Sequence, residues 1–252
     1  MSDTVFRFVL IAWIFIAVAV FISLFFIAAP YGRYFKRSFG PAVNGKLGWI
    51  LMETPAPLLF ATVFVAGIGT ATIAQIIFLV LWEIHYIDRA FVYPFTLRSS
   101  VKPLPLAVLI TGLAFNSMNA YLNSNYIIMN YSQYTDLWLH DIRFLIGLAL
   151  FFSGFILNRY SDYILYRTRC TSRQEYSVPN GGFYRWVSCP NYLGEIVIWI
   201  GWTFATWSTV AAAFLLWTIA NLVPRARSHH QWYRQKFDDY PKERHALVPG
   251  IW

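Results

Sequence analysis

The run from Val5 to Ala29 constrains this chain more than any other feature, because its one charge is Arg7. Roughly 20 consecutive apolar residues are needed to span a bilayer as a helix, and core helices of water-soluble domains are usually shorter. A secretory leader fits poorly, since its apolar core runs about 7–15 residues behind a basic stretch. Here the run is longer, has almost no basic lead, and ends with Pro30 directly after Ala28 and Ala29. A retained membrane span is expected.

The rest of the chain follows the same style. Only 13% of its 252 residues are charged and 58% are hydrophobic, against about 25% charged in an average soluble domain. Further apolar blocks cover Trp49 to Gly69, Ala71 to Ala90, Leu104 to Met129 and Arg143 to Tyr166. Leu193 to Val223 is too long for one span and short for two, so a break is expected near Thr206, Trp207 and Ser208. No internal repeat, low-complexity stretch or Pro/Gly/Ser-rich linker divides the chain, and a single domain over residues 1–252 is expected.

Charge decides the number of crossings. With seven spans, 17 of the 20 Lys and Arg fall on one side, in loops around Arg33–Lys46, Arg89–Lys102 and Arg167–Arg185 and in a tail from Arg225 to Arg244. Arg7 and Arg143 fall on the other side, and Arg159 lies within a helix. Positive residues stay cytoplasmic. The expected fold is therefore an all-α bundle of seven transmembrane helices with the N-terminus out and the C-terminus cytoplasmic. Six spans would put the basic tail on the wrong side. The net charge of +8 follows from topology and calls for no nucleic acid, although a basic cytoplasmic face can also hold an anionic ligand. Cys170 and Cys189 share one cytoplasmic loop and lack companions at zinc spacing, so reduced thiols are expected.

Polar residues at membrane depth are costly and usually functional. Glu53 sits about one turn into its apolar block, beside Pro55 and Pro57, which leave backbone carbonyls without their helical donors. A carboxyl desolvated there is expected to be protonated and able to donate a hydrogen bond, against the simpler reading of a packing ion pair or an interfacial carboxylate. Tyr86, Arg89 and Tyr93 share a helical face beside His85; read alone, they favour an interfacial aromatic and cation belt. Asn116, Asn119 and Asn123 form a stripe that must face the bundle interior, either as helix–helix glue or as the wall of a polar cavity. Asn158, Asp162 and Arg169 share another face, offering an acceptor for ribose hydroxyls and a fork for phosphate, or merely a helix-end ion cluster. Asn191 and Glu195 are four apart at the start of the sixth span.

Several chemistries find no support. There is no Gly-x-Gly-x-x-Gly and no Walker sequence. His229 and His230 lack a companion at clear metal-ligand spacing, so no metal is expected, and no Ser-His-Asp arrangement stands out. What remains is a polar interior open to a basic face, which suits a membrane enzyme with a soluble anionic cofactor or a small transporter alike.

Particular segments separate the two. Asn158-Arg-Tyr-Ser-Asp162 resembles the Asn-x-x-x-Asp segment of the steroid 5α-reductase family. Pro179-Asn-Gly-Gly-Phe183, Asn191-Tyr-Leu-Gly-Glu195 and Ala205-Thr-Trp-Ser208 are similar to the same family in the same order. So are His229-His-Gln-Trp-Tyr233 and the stretch from Phe237 through Arg244 to Pro249. Upstream, Glu53-Thr-Pro55 and the stretch from His85-Tyr86 to Tyr93 also align, so the resemblance runs from about Trp49 to the C-terminus. The C-terminal motifs are shared in part with sterol reductases and isoprenylcysteine methyltransferases; Glu53 with His85-Tyr86 is more specific.

The resemblance implies NADPH-dependent reduction of a Δ4-3-ketosteroid by hydride transfer to C5. It implies that Glu53 and Tyr86 hydrogen-bond the 3-ketone. It implies that Asn119, Asn158, Asp162, Arg169, Tyr176, Asn191, Glu195, His229, Tyr233 and Arg244 line or support the cofactor site, with Arg89 counted among them. Two positions depart from the family pattern: Met52 replaces a common glutamine and Ser177 a frequent arginine, which bears on substrate preference and on one phosphate contact. The expected partners are the bilayer and a lipophilic steroid entering from it, with no nucleic acid and no obligate protein partner. The expected location is a bacterial inner membrane or the endoplasmic reticulum, with the cofactor facing the cytoplasm. Alternatives are an enoyl reductase or an S-adenosylmethionine-dependent methyltransferase of related architecture, and a lipid transporter without chemistry.

Overall fold

Each apolar block is helical in the computed structural model, which describes residues 3–96, 102–171 and 176–251. Arg98 and Arg173, counted above with the cytoplasmic charge, lie outside the described residues. The helices are α1 (Asp3–Phe26), α2 (Gly45–Glu53), α3 (Pro55–Gly67), α4 (Ile73–Ile87), α5 (Tyr93–Thr96), α6 (Leu106–Met129), α7 (Ile142–Thr171), α8 (Pro190–Thr206) and α9 (Thr209–Lys236). Two residue-pair strands, β1 (Ala42–Val43) and β2 (Leu104–Pro105), pair antiparallel.

Among the described residues, four stretches are long and apolar enough to cross a membrane: Thr4–Phe26, Gly45–Gly67, Ile142–Thr171 and Thr209–Lys236. The fold is thus mostly helical and multi-pass. The other three expected spans fall short of that standard for visible reasons. α4 has 15 residues before the helix loosens, and α8 has 17. α6 has 24 residues, but asparagines dilute its apolar character.

The chain packs as two compact units, one of Met1–Ala29 with Ile146–Trp252 and one of Pro30–Leu145. In the first, α1 lays a narrow stripe against α9, where Trp13 meets Trp217 at 4.8 Å between ring centroids. Most of its other side chains, Phe8 and Phe15 among them, are exposed, as helices in hydrocarbon allow. α7 and α8 run much closer. Gly147 and Gly154 on α7 face Gly201 and Gly194 on α8, and a Cβ at Gly194 would lie 2.5 Å from the backbone nitrogen of Asn158. Backbone meets backbone here because neither helix has a side chain in the way. The α8–α9 break falls where the sequence places it. Trp207 adopts the left-handed conformation at φ 46°, and Ser208 Oγ accepts from the amides of Val210 and Ala211 to start α9. Beyond α9 the tail returns: Ser188 N donates to His245 O at 2.9 Å, and His245 N to Trp186 O at 2.9 Å.

The second unit is built on proline and asparagine. Its helix pair α2–α3 begins at Gly45, earlier than the expected Trp49, because Asn44 caps it by accepting from the amides of Lys46 and Leu47. Pro55 then ends α2 and opens α3, so Glu53 marks a break deep in the span rather than its first turn. α4 starts on a capping box of Thr72 and Gln75. It ends in a π turn, Asp88–Val92. In that wide turn Arg89 O would pair five residues on with Pro94, which has no N–H; the Trp49 indole donates to it instead at 3.1 Å. Buried side-chain-to-backbone bonds tie the helices: Gln75 to Ile127 O at 3.2 Å, Trp82 to Ala56 O at 3.0 Å and Ser124 to Phe60 O at 3.1 Å.

Candidate active site

Within the second unit, α6 organises the polar residues. Pro55 and Pro57 remove two amides from the α2–α3 junction, and Asn116 Nδ2 supplies a donor there, to Met52 O at 2.7 Å and to Glu53 Oε2 at 3.3 Å. One turn on, Asn119 Nδ2 donates to the Tyr86 hydroxyl oxygen at 3.4 Å. Asn123 Nδ2 in turn donates to Asn119 Oδ1 at 3.0 Å, which fixes the Asn119 amide with its nitrogen toward Tyr86. Tyr86 is also packed against Trp82 at 4.7 Å, with Trp82 stacked on Phe60 at 4.5 Å. Asn116, Asn119, Asn123 and Tyr86 are all buried.

The stripe thus joins helices, one of the two readings the sequence allows, and in doing so it holds a carboxyl and a phenol. Because Asn116 and Asn119 are three residues apart, their positions differ by about 4.5 Å along α6. Glu53 and Tyr86 are consequently held against adjacent turns of one helix. Arg89 belongs to another cluster of this unit, its guanidinium 4.3 Å from the Tyr93 ring centre and 5.4 Å from that of Trp49.

The first unit gathers most of the remaining candidates. The close α7–α8 approach sets Asn158 over α8, where its Nδ2 donates to Asn191 O at 2.9 Å and Glu195 Oε2 at 3.0 Å. Trp199 Nε1 holds the other carboxylate oxygen of Glu195 at 3.1 Å, and Asn191 Nδ2 donates to Asp162 Oδ1 at 3.1 Å. Four polar side chains of one helix pair are thus locked into a continuous chain. On α9, His229 Nε2 lies 3.1 Å from the Tyr192 hydroxyl, which accepts from Arg225 Nε at 3.0 Å. Tyr233 stacks on Tyr240 at 5.4 Å, Tyr176 meets Trp232 at 5.1 Å, and Arg244 covers Tyr240 at 5.3 Å.

The structure adds residues to this unit that the sequence did not single out. Ser188 Oγ lies 2.6 Å from both His230 Nδ1 and Tyr240 Oη and donates to His245 O at 3.1 Å. Ser188 thus joins His230 of α9 to Tyr240 and His245 and pins the tail to α9. Burial pushes the Tyr240 phenol up, partly offset by Ser188 and Arg244. Tyr184 is buried beside Asp162, Tyr233, Cys189 and Arg169; burial first, then the Asp162 charge, holds its phenol well above the usual range.

These residues fit a polar, anionic cofactor. Buried polar atoms are nearly always hydrogen-bonded, yet the Tyr184 hydroxyl and Arg244 Nε have no partner among the described residues. Arg244 is buried, and among the described residues its guanidinium donates to Pro179 O at 3.0 Å and lies against Tyr240. A buried cation with no carboxylate partner among the described residues calls for an anion. Among the described residues, no three His, Cys, Asp or Glu side chains group to hold a metal ion.

Comparison with known proteins agrees with this chemistry. A family model described as 3-oxo-5-alpha-steroid 4-dehydrogenase matches residues 102–252. The steroid 5-alpha-reductase DET2 of Gossypium hirsutum is 36% identical over 255 residues, covering 100% of this chain and 99% of the relative. The bovine 3-oxo-5-alpha-steroid 4-dehydrogenase 1 is 35% identical over 241 residues, with 94% of this chain and 93% of the relative covered. Its human counterpart is 36% identical over 225 residues, with 88% and 85% covered. The Glu53 and Tyr86 segments precede the family-model match but fall inside the full-length match to the cotton protein.

Proposed function

We propose, because this chain belongs to the 3-oxo-5-alpha-steroid 4-dehydrogenase family, that it reduces the Δ4 double bond of 3-oxo-Δ4-steroids to 5α-reduced 3-ketosteroids with NADPH. The observation that carries the reading is the pairing of Glu53 and Tyr86 with adjacent asparagines of α6. A carboxyl and a phenol held on adjacent turns of one helix can both address one ketone oxygen.

The residue roles follow from where charge develops. When bound, the reduced nicotinamide supplies a hydride to C5 of the enone. Negative charge then builds on the 3-oxygen, and donors aimed at it in a water-poor site stabilise that charge more than the ground state. Tyr86 donates its hydroxyl proton as a hydrogen bond while Asn119 occupies its oxygen from the other side. Glu53, protonated, donates as well, oriented by Asn116. The proton that completes the reaction at C4 comes from water. Asn158, Asp162, Arg169, Tyr176, Asn191, Glu195, His229, Tyr233 and Arg244 hold the cofactor, with Arg244 and Arg169 meeting its phosphates. Asn119 acts through Tyr86 in this assignment, so its part in catalysis is to position. Arg89 belongs with the cofactor-binding residues in this assignment.

The setting is a single catalytic domain of seven spans, with its N-terminus outside and its tail and cofactor site in the cytoplasm of a bacterium or at the endoplasmic reticulum. The 17 basic residues on one side support that orientation. The steroid enters from the lipid. Purified protein in detergent is expected to oxidise NADPH only when a Δ4-3-ketosteroid such as progesterone or testosterone is added. Steroid-independent oxidation, or none with either steroid, would remove the proposal.

A further inference from the structure

Tyr184 is 1% exposed, and its hydroxyl makes no hydrogen bond among the described residues. Phenylalanine would fill the same space without burying an unsatisfied oxygen, a burden that folding proteins avoid. The hydroxyl therefore calls for a partner beyond the described residues. Its neighbours restrict what that partner is: the charges of the Asp162 carboxylate, the Tyr233 phenol and the Arg169 guanidinium all act on it, the carboxylate most strongly.

The phenol stays protonated and is a donor. Asp162 is an acceptor, already oriented by the Asn191 amide at 3.1 Å. A neutral donor beside a carboxylate matches two neighbouring hydroxyls, one accepting from the phenol and one donating to the carboxylate. A phosphate in the same place would be repelled by Asp162. Resting on the NADPH reading above, the choice narrows further, because the adenosine ribose of that cofactor carries a phosphate on its 2′ oxygen. Its one intact vicinal diol belongs to the ribose on the nicotinamide side.

We propose that Tyr184 is a cofactor-binding residue, donating with Asp162 as its acceptor companion to the diol of the nicotinamide-side ribose. This assigns a hydrogen-bonding role to a loop aromatic between α7 and α8.

The test is equilibrium binding to purified, steroid-free protein, with NADP+ and with adenosine 2′,5′-bisphosphate, which keeps the phosphorylated adenosine half and lacks the second ribose. Tyr184→Phe is expected to weaken NADP+ about tenfold, the loss of one buried hydrogen bond. The bisphosphate should bind Tyr184→Phe as it binds the wild type. Without ligand the variant should melt no lower than the wild type, because its missing oxygen had no partner to lose. Wild-type affinity for NADP+, equal weakening of both ligands, or a variant that melts lower or fails to fold would each overturn the inference. A wild-type protein that binds neither ligand would overturn the NADPH reading and this inference with it.

Discussion

Tyr86 and Glu53 matter because each is attached to a different asparagine, so they can be removed one at a time. Tyr86→Phe deletes the hydroxyl and leaves the ring between Trp82 and His85. Loss of one oxyanion donor typically costs about 10²–10³ in turnover, and steady-state kinetics should show it in kcat with NADPH affinity unchanged. Glu53→Gln keeps a neutral donor and should be milder than Glu53→Ala. An ionised Glu53 that merely orients its surroundings would make Gln as damaging as Ala. Tyr86, read alone, favours an interfacial belt and enters the site only through the family resemblance, whereas Glu53 was legible as a candidate because a carboxyl beside prolines in an apolar block has few structural reasons to be there. Tyr184 and Ser188 were not. An aromatic or a serine in a polar loop is common, and only the burial of its oxygen or a 2.6 Å neighbour marks it out.

At the scale of elements, the decisive contact is the glycine crossing of α7 and α8. It brings Asn158 within hydrogen-bond reach of Asn191 and Glu195. Gly194→Ala puts a methyl group where the Asn158 backbone already lies, and overpacking of this kind costs about 1–3 kcal/mol. A thermal melt should fall, and NADPH affinity with it, as the Asn158 contacts separate. Gly69→Ala is the control, since a Cβ there meets nothing within 4 Å; a Gly194→Ala protein as stable as this control would mean the helices are free to move apart. Asn158, Asp162, Asn191 and Glu195 were legible as faces of two helices, but periodicity within one helix says nothing about its neighbour. The glycines that decide the neighbour are seven apart on each helix, a pattern visible only once both helices are aligned. The break at Trp207 was legible because a largely apolar stretch of 31 residues suits neither one span nor two. The start of α2 was not, because its capping Asn44 lies outside the apolar block.

For the whole molecule, charge and length work together. Helix content and multiple crossing were readable from blocks of about 20 apolar residues. The division into two compact units was not, since no linker or change of composition marks it in the sequence. The proposed seven-span arrangement makes a clear demand on the tail, whose basic residues would have to stay in the cytoplasm. A reporter fused after the last residue should be active there, and alkaline phosphatase activity from the periplasmic side would contradict it. The central claim is the reaction itself, and isotope transfer reads it most directly. NADPH carrying deuterium at its transferable C4 position is incubated with purified protein and a Δ4-3-ketosteroid. The product is expected to carry that deuterium at C5 in the 5α configuration, with the C4 proton from water. A product of 5β configuration, or one whose C5 hydrogen comes from water, would contradict the account.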